Sequence, residues 1–120
     1  MGRGTGLNLG RGRVVLVDLD PTQGHEQRGR RPCVVISDPA VNADQRFPLI
    51  AVVPLTGTPG EGALYPALAP GASGLAKASY ALVDHVRAID KRRITKAYGY
   101  LVPTELNDID DALKLYLGLK

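Results

Sequence analysis

Asp18-Leu19-Asp20-Pro21-Thr22-Gln23-Gly24-His25-Glu26-Gln27-Arg28-Gly29-Arg30-Arg31-Pro32 separates two apolar runs, Val14–Leu19 before it and Cys33–Ile36 after it. Both runs are rich in β-branched residues and the first alternates weakly, so they predict two strands. A plain hairpin needs only about two to five connecting residues. The stretch between these strands is longer and carries His25, Glu26, two Gly, two Pro and three Arg. Asp20-Pro21-Thr22 favours a turn, while Gly24 and Gly29 allow backbone angles that other residues avoid. A connection this long and this charged is more often functional or disordered than merely connecting.

Working outward, Pro32 is expected at the first position of a strand over Cys33–Ser37, where a missing donor does least harm. Residues 38–47, with Pro39 among polar neighbours, predict a loop. Leu49-Ile50-Ala51-Val52-Val53 is the strongest strand signal and is expected to close at Pro54, ahead of Leu55-Thr56-Gly57-Thr58-Pro59-Gly60. Ala63–Leu68 predicts a further strand, at an edge because of Pro66. Lys77–Val83 and Val86–Ile89 continue the strand pattern less clearly. After Pro103 the period changes: Leu106, Ile109, Leu113, Tyr116 and Leu117 recur at three- and four-residue steps and mark an amphipathic helix. Thr104 is its expected N-cap, with Glu105 in the first turn, Lys114 near the end and Gly118 at the stop. The expected fold is mainly β with a C-terminal helix, a small SH3-like β-barrel closed by that helix.

A chain of 120 residues fits a single domain over 13–120, preceded by a Gly- and Arg-rich stretch, Met1–Gly12, expected to be a flexible basic arm. With 44% hydrophobic and 22% charged residues, the chain should fold rather than stay disordered. No apolar run approaches the length of a membrane span, and Met1–Gly12 lacks the apolar core of a signal peptide. The single cysteine, Cys33, sits inside an apolar run with no metal-ligand neighbours, which points to a core residue and a cytoplasmic setting. Net charge is +3 but uneven. Residues 1–102 hold 13 basic and 8 acidic groups, and residues 103–120 hold 2 and 4. A basic body fits a polyanionic partner, and equally an ordinary solvated surface.

The stretch from Val17 to Pro32 resembles the signature of the MazF/PemK (Kid) toxins. Three later blocks agree with it: Val53-Pro54-Leu55-Thr56, Ala81-Leu82-Val83-Asp84-His85-Val86-Arg87-Ala88-Ile89-Asp90, and Arg93-Ile94. The resemblance spans roughly residues 12–117. It implies a CcdB/PemK-type β-barrel, a homodimer, and an endoribonuclease that cuts single-stranded RNA, usually mRNA, at short sequences with no cofactor and no metal. It also implies a cognate antitoxin whose acidic tail covers the RNA groove. Carried over residue by residue, the catalytic arginine falls on Arg31, the catalytic threonine on Thr56, and the glutamate of the Glu-Gln pair on Glu26. In the Kid branch a histidine and an aspartate have assigned roles, and these fall on His25 and Asp84. Two positions depart from the pattern. Gly57 follows Thr56 where many relatives have Ser or Thr, and Leu82 stands where the Kid branch has Arg. The second departure favours the Arg31–Thr56 pair over a Kid-style acid–base set.

Metal-free RNA cleavage requires the 2′-OH to attack the adjacent phosphorus through a crowded, negatively charged phosphorane. Arg31 suits the stabilising task, because a guanidinium stays charged and presents a fork of donors to phosphate oxygens. Thr56 can donate to a phosphate oxygen or fix the attacking hydroxyl. Glu26 or His25 could take the proton. Taken singly, Arg31 reads as a solvated strand-entry charge and Thr56 before Gly57 as a turn former; only their joint place in the pattern turns both toward chemistry. His25, Asp84 and His85 read equally as solvated loop groups or as RNA contacts, Glu26 as a partner of Arg28 or Arg30, and Asp84 with Arg87 as an ion pair. Arg28, Arg30, Arg87, Lys91, Arg92 and Arg93 could form an electrostatic track for the RNA backbone. Aromatic residues are only 5% of the chain, so base preference would rest on polar loop groups such as Gln27.

Two rivals come from other classes. A CcdB-like poison of DNA gyrase shares the fold, but such proteins are expected to end in Trp-Gly-Ile, whereas this chain ends Leu117-Gly118-Leu119-Lys120 and contains no Trp. A generic SH3-like binding module would not need Arg31 and Thr56 together.

Overall fold

In the computed structural model the described residues are 8–20, 24–25 and 29–119. Seven strands among them form one antiparallel sheet: β1 (Arg13–Asp18), β2 (Arg30–Val35), β3 (Leu49–Thr56), β4 (Ala67–Leu68), β5 (Ser79–Ala81), β6 (Arg87–Asp90) and β7 (Ile94–Tyr100). Their order is β4-β5-β3-β2-β1-β7, with β6 on the first half of β3. A five-residue helix α1 (Pro39–Ala43) links β2 to β3, and helix α2 (Pro103–Leu117) ends the chain. The result is a strongly curled sheet, a half-barrel, plus a C-terminal helix, as expected.

Strand alternation divides the core in two. Val15, Val17, Leu19, Cys33, Val35, Ile50, Val52 and Ile89 meet inside the curl. The intervening Val14, Val34, Val53 and Leu55 face the other way, against Ile109, Ala112 and Leu113 of α2. Several boundaries differ from the sequence expectation. Strand β3 runs through Pro54 to Thr56. Residues 49–52 pair with β6 and residues 55–56 with β5, so Pro54 lies between two partners. Its carbonyl accepts from the Leu82 amide on that side at 2.9 Å. The amide that proline lacks would point the same way, into the gap, where no ladder bond is lost. Pro32 stands third in β2 rather than first, and pairing of β2 with β3 begins just past it, at Cys33–Pro54.

Other corrections follow from local chemistry. Only Ala67–Leu68 of the expected 63–68 strand is extended, and it is an edge strand as Pro66 implied. Residues 38–47 hold α1, capped by Asp38, whose carboxylate accepts from the Ala40 amide. Strand β7 was not anticipated beyond Arg93-Ile94. Helix α2 is capped at Val102 rather than Thr104, because Pro103 takes the first helical position. Gly118 closes it in the left-handed region at φ 70°. Tyr116 and Leu117 of the expected apolar stripe are exposed, 47% and 54%, so α2 caps the sheet through its first three turns only.

Asn8–Gly12, which the sequence placed in the arm, is stitched into the fold. Arg11 donates through Nε to the Ile36 carbonyl at 2.8 Å and forks onto the Asp110 carboxylate of α2. The Gly12 amide reaches the Val35 carbonyl, and the Gly12 carbonyl accepts from Leu101. Arg11 thus ties the chain entry, the exit of β2 and the closing helix together. Arg11→Ala should lower the urea midpoint by the equivalent of about 1–2 kcal/mol, the scale of charged hydrogen bonds in a half-buried setting. An unchanged midpoint would show the fork to be incidental.

Candidate functional site

The base of the long 18–32 connection is tied by carboxylates. Asp18 Oδ1 accepts from the Asp20 amide at 3.1 Å, Asp20 Oδ1 from the Gly29 amide at 3.0 Å, and the Leu19 amide donates to the Gly29 carbonyl at 2.9 Å. Gly24 and Gly29 have φ of 61° and 70°, the left-handed region the sequence called for. His25 is exposed. Glu26, Gln27 and Arg28 lie outside the described residues.

Arg31 lies in β2 opposite Val17 of β1. On its other side the register runs Val35–Val52, Val34–Val53, Cys33–Pro54. The pairing ends at Cys33–Pro54, two residues short of Arg31 near the start of β2 and of Thr56 at the end of β3. Thr56 Oγ1 accepts from the Thr58 amide at 3.1 Å, which folds the chain into a tight turn beyond the strand. Arg87 joins from β6. It pairs with Val52, and its Nη1 donates to the Leu19 carbonyl at 3.4 Å. Beneath it lies Cys33, whose thiol is pushed up to about 12 by burial, against the opposing influence of the Arg87 charge. Cys33 is therefore an inert core residue, as its apolar run implied.

The Asp84–His85 pair is built by a single 3-10 turn, Val83–His85. Val83 is fully buried against the α2 side of the core. With that anchor inside, the two polar residues after it face outward, toward an open cleft of about 250 Å³ lined by His25, Asp84, His85, Val86 and Arg87. Asp84 Oδ2 accepts from the Tyr65 hydroxyl at 2.8 Å, and its Oδ1 lies 3.7 Å from His85 Nε2. Oδ1 is buried without a hydrogen-bond partner. Of the readings the sequence left open for Asp84, the ion pair with Arg87 is not formed; Tyr65, which the sequence reading did not single out, holds the carboxylate instead. A tyrosine nineteen residues upstream carries no local signal for that contact.

Part of the expected cationic track is occupied elsewhere. Lys91 Nζ donates to the Val41 and Asp44 carbonyls at the end of α1, at 3.2 and 3.1 Å. Arg92 forks onto Asp90, holding that carboxyl down at about 2. Arg30 and Arg31 begin β2, and Arg87 begins β6 opposite Val52. Among the described residues no three His, Cys, Asp or Glu groups come close enough to share a metal ion, and no helix is long and apolar enough to cross a membrane.

Residues 10–117 match the family model described as the PemK-like, MazF-like toxin of type II toxin–antitoxin systems. Endoribonuclease MazF9 of Mycobacterium tuberculosis is 35% identical, with 91% of this chain and 96% of that protein covered. Among solved structures, MazF from Deinococcus radiodurans superposes with a TM-score of 0.79 at 28% identity, covering 92% of this chain and 96% of that one. A mycobacterial endoribonuclease in complex with its cognate antitoxin gives 0.75 at 25%, with the same coverage.

The hydrogen bond to Asp84 holds the Tyr65 phenol above its ordinary pKa. A raised folded-state value adds stability that is present below the unfolded value, near pH 10, and is lost as pH climbs through the folded one. Spectrophotometric titration should therefore show one of the five tyrosines ionising late. Tyr65→Phe should remove that late phase; its persistence would place the bond elsewhere.

Proposed function

The chain belongs to the PemK-like, MazF-like toxin family, and on that premise we propose that it is a sequence-specific endoribonuclease cutting single-stranded RNA without a metal. The observation that supports this reading most is the β2–β3 pairing, which leaves Arg31 and Thr56 on neighbouring strands, together with the cleft lined by His25, Asp84, His85 and Arg87.

The 2′-oxygen attacks the adjacent phosphorus and loses its proton to a base. The bond from phosphorus to the 5′-oxygen then breaks, and a proton passes to that leaving oxygen. The products are a 2′,3′-cyclic phosphate and a 5′-OH. Arg31 neutralises the charge that builds on the non-bridging oxygens, and it suits this because its guanidinium presents two donors without titrating. Thr56 donates to the same phosphate or orients the attacking hydroxyl. Its Oγ1 accepts one backbone amide and keeps its own proton available for donation. The proton acceptor is Glu26, outside the described residues, or His25 at the cleft, imidazole being a side chain suited to proton transfer at physiological pH. His85, Asp84 and Arg87, with Gln27 and Arg28 from the 18–32 connection, bind the flanking nucleotides.

The protein acts as a homodimer restrained by a cognate antitoxin. Leu115, Tyr116, Leu117 and Leu119 leave an exposed apolar end on α2, a surface that a protein partner would cover. The antitoxin-bound mycobacterial relative supports the second part.

A long single-stranded RNA incubated in EDTA and mapped by primer extension tests the proposal. Wild type should cut at one short motif and leave the same sequence as DNA intact, since DNA lacks the 2′-OH. Arg31→Ala should slow cleavage by about 10²–10³-fold, the loss typical of removing one preorganised donor. Thr56→Ala should also impair it, with both variants still folded. Uncut RNA from a folded, antitoxin-free protein would overturn the enzyme reading. So would full turnover in Arg31→Ala for the role of that residue.

A further inference from the structure

Lys77 precedes β5, and its carbonyl accepts from the Ser79 hydroxyl at 3.2 Å, which fixes the main chain at the strand entry. Its side chain runs back over the turn that follows Thr56. A Cβ built on Gly57 would lie 3.0 Å from both Lys77 Cε and Nζ, and 4.0 Å from Cδ. The ammonium therefore occupies the space that a side chain at position 57 would fill. Among the described residues Lys77 has no ion pair or hydrogen bond from that ammonium. A long side chain laid across a turn gives up rotamer freedom, and here no protein counter-charge offsets that loss.

We infer that Lys77 is an additional RNA-contacting residue of the site, holding a backbone phosphate beside the scissile one, and that Gly57 is the opening that admits it. The inference rests on the RNA-cleaving reading above. The sheet topology gives it direction. Thr56 pairs with Tyr80 of β5 on one side, and β2, the strand that carries Arg31, lies on the other side of β3. Lys77 thus approaches the Thr56 turn from the flank opposite Arg31, and a phosphate at Thr56 lies between two cations. A lysine suits the outer contact, since its ammonium is a mobile point charge that grips phosphate without the geometric demand of a guanidinium.

The test measures affinity for a single-stranded RNA containing the mapped motif, with a 2′-deoxy sugar at the cut so that it stays intact, from 50 to 200 mM salt. Wild type, Lys77→Ala, Lys77→Arg, Gly57→Ala and the double variant Gly57→Ala/Lys77→Ala are compared. Each phosphate contact adds about 0.7 to the salt slope on single strands. Lys77→Ala should flatten the slope by about that amount, so the wild-type advantage shrinks about 2.5-fold across this range. Lys77→Arg should retain the wild-type slope. Gly57 does not use the left-handed region, so alanine fits its backbone and displaces only the flexible lysine end. Gly57→Ala should flatten the slope likewise, and the double variant should lose no more than Lys77→Ala alone. A wild-type slope in Lys77→Ala, or additive losses in the double variant, would overturn the inference while leaving the nuclease reading intact. Wild type that neither binds this RNA nor cuts its all-ribose form would sink both.

Discussion

The antiparallel register of β2 on β3 is the constraint on which the rest depends. Side chains alternate with a period of two, so a slip of one residue would exchange the faces of an entire strand. Cys33 and Val35 would leave the interior of the curl, Val34 would leave the α2 side, and Arg31 would turn to the opposite face. The residues that bury the core thereby aim the residues at its rim. The hydrophobic contacts supply the alignment.

Two further devices extend that alignment beyond the strands. The carboxylates of Asp18 and Asp20 hold the ends of the long connection through backbone amides, so its entry and exit leave the sheet together. The Val83–His85 turn is pinned from below by Val83 against the α2 side of the core. The C-terminal helix, remote from Arg31 in sequence, thus braces the surface that presents Asp84 and His85. Arg87 links the two regions, since it pairs within the sheet and donates to the Leu19 carbonyl at the root of the connection.

Sequence patterning revealed those parts of the fold where burial is one-sided and strong. The Leu49–Val53 run, the Val14–Leu19 run and the Leu106–Leu113 spacing each reflect a face that must be covered. Strand β7 escaped notice because Thr95, Lys96 and Tyr100 leave much of it exposed and Gly99 interrupts it. Gly99 is present for a reason local pattern cannot express: a Cβ there would fall 2.1 Å from the Ala72 carbonyl oxygen of a distant turn. Pro54 misled for a similar reason, since its harmlessness depends on which partner strand ends where. At the site, Arg31 and Thr56 stood out only through their joint place in a family pattern, since each taken singly reads as an ordinary strand-entry charge or turn former. The Tyr65–Asp84 bond and the Lys77–Gly57 contact were not legible, because each joins segments about twenty residues apart through side-chain reach.

The charge of the chain also acquires a different meaning once the contacts are known. A net +3 spread over 15 basic residues says little about where a polyanion would bind. Many of those cations serve the fold: Arg11 on Asp110, Arg13 on the Tyr98 carbonyl, Arg46 on Asp44, Lys91 on the end of α1, Arg92 on Asp90. Arg11, Arg46 and Arg92 meet carboxylates that offset their charge, whereas Arg13 and Lys91 are held by neutral carbonyls and keep theirs. Arg30 and Arg31 begin β2, Arg87 reaches the Leu19 carbonyl at the root of the long connection, and Lys77 lies over the turn after Thr56. The acidic pairings elsewhere offset part of the remaining surface charge, so net charge alone understates how unevenly the cations are distributed.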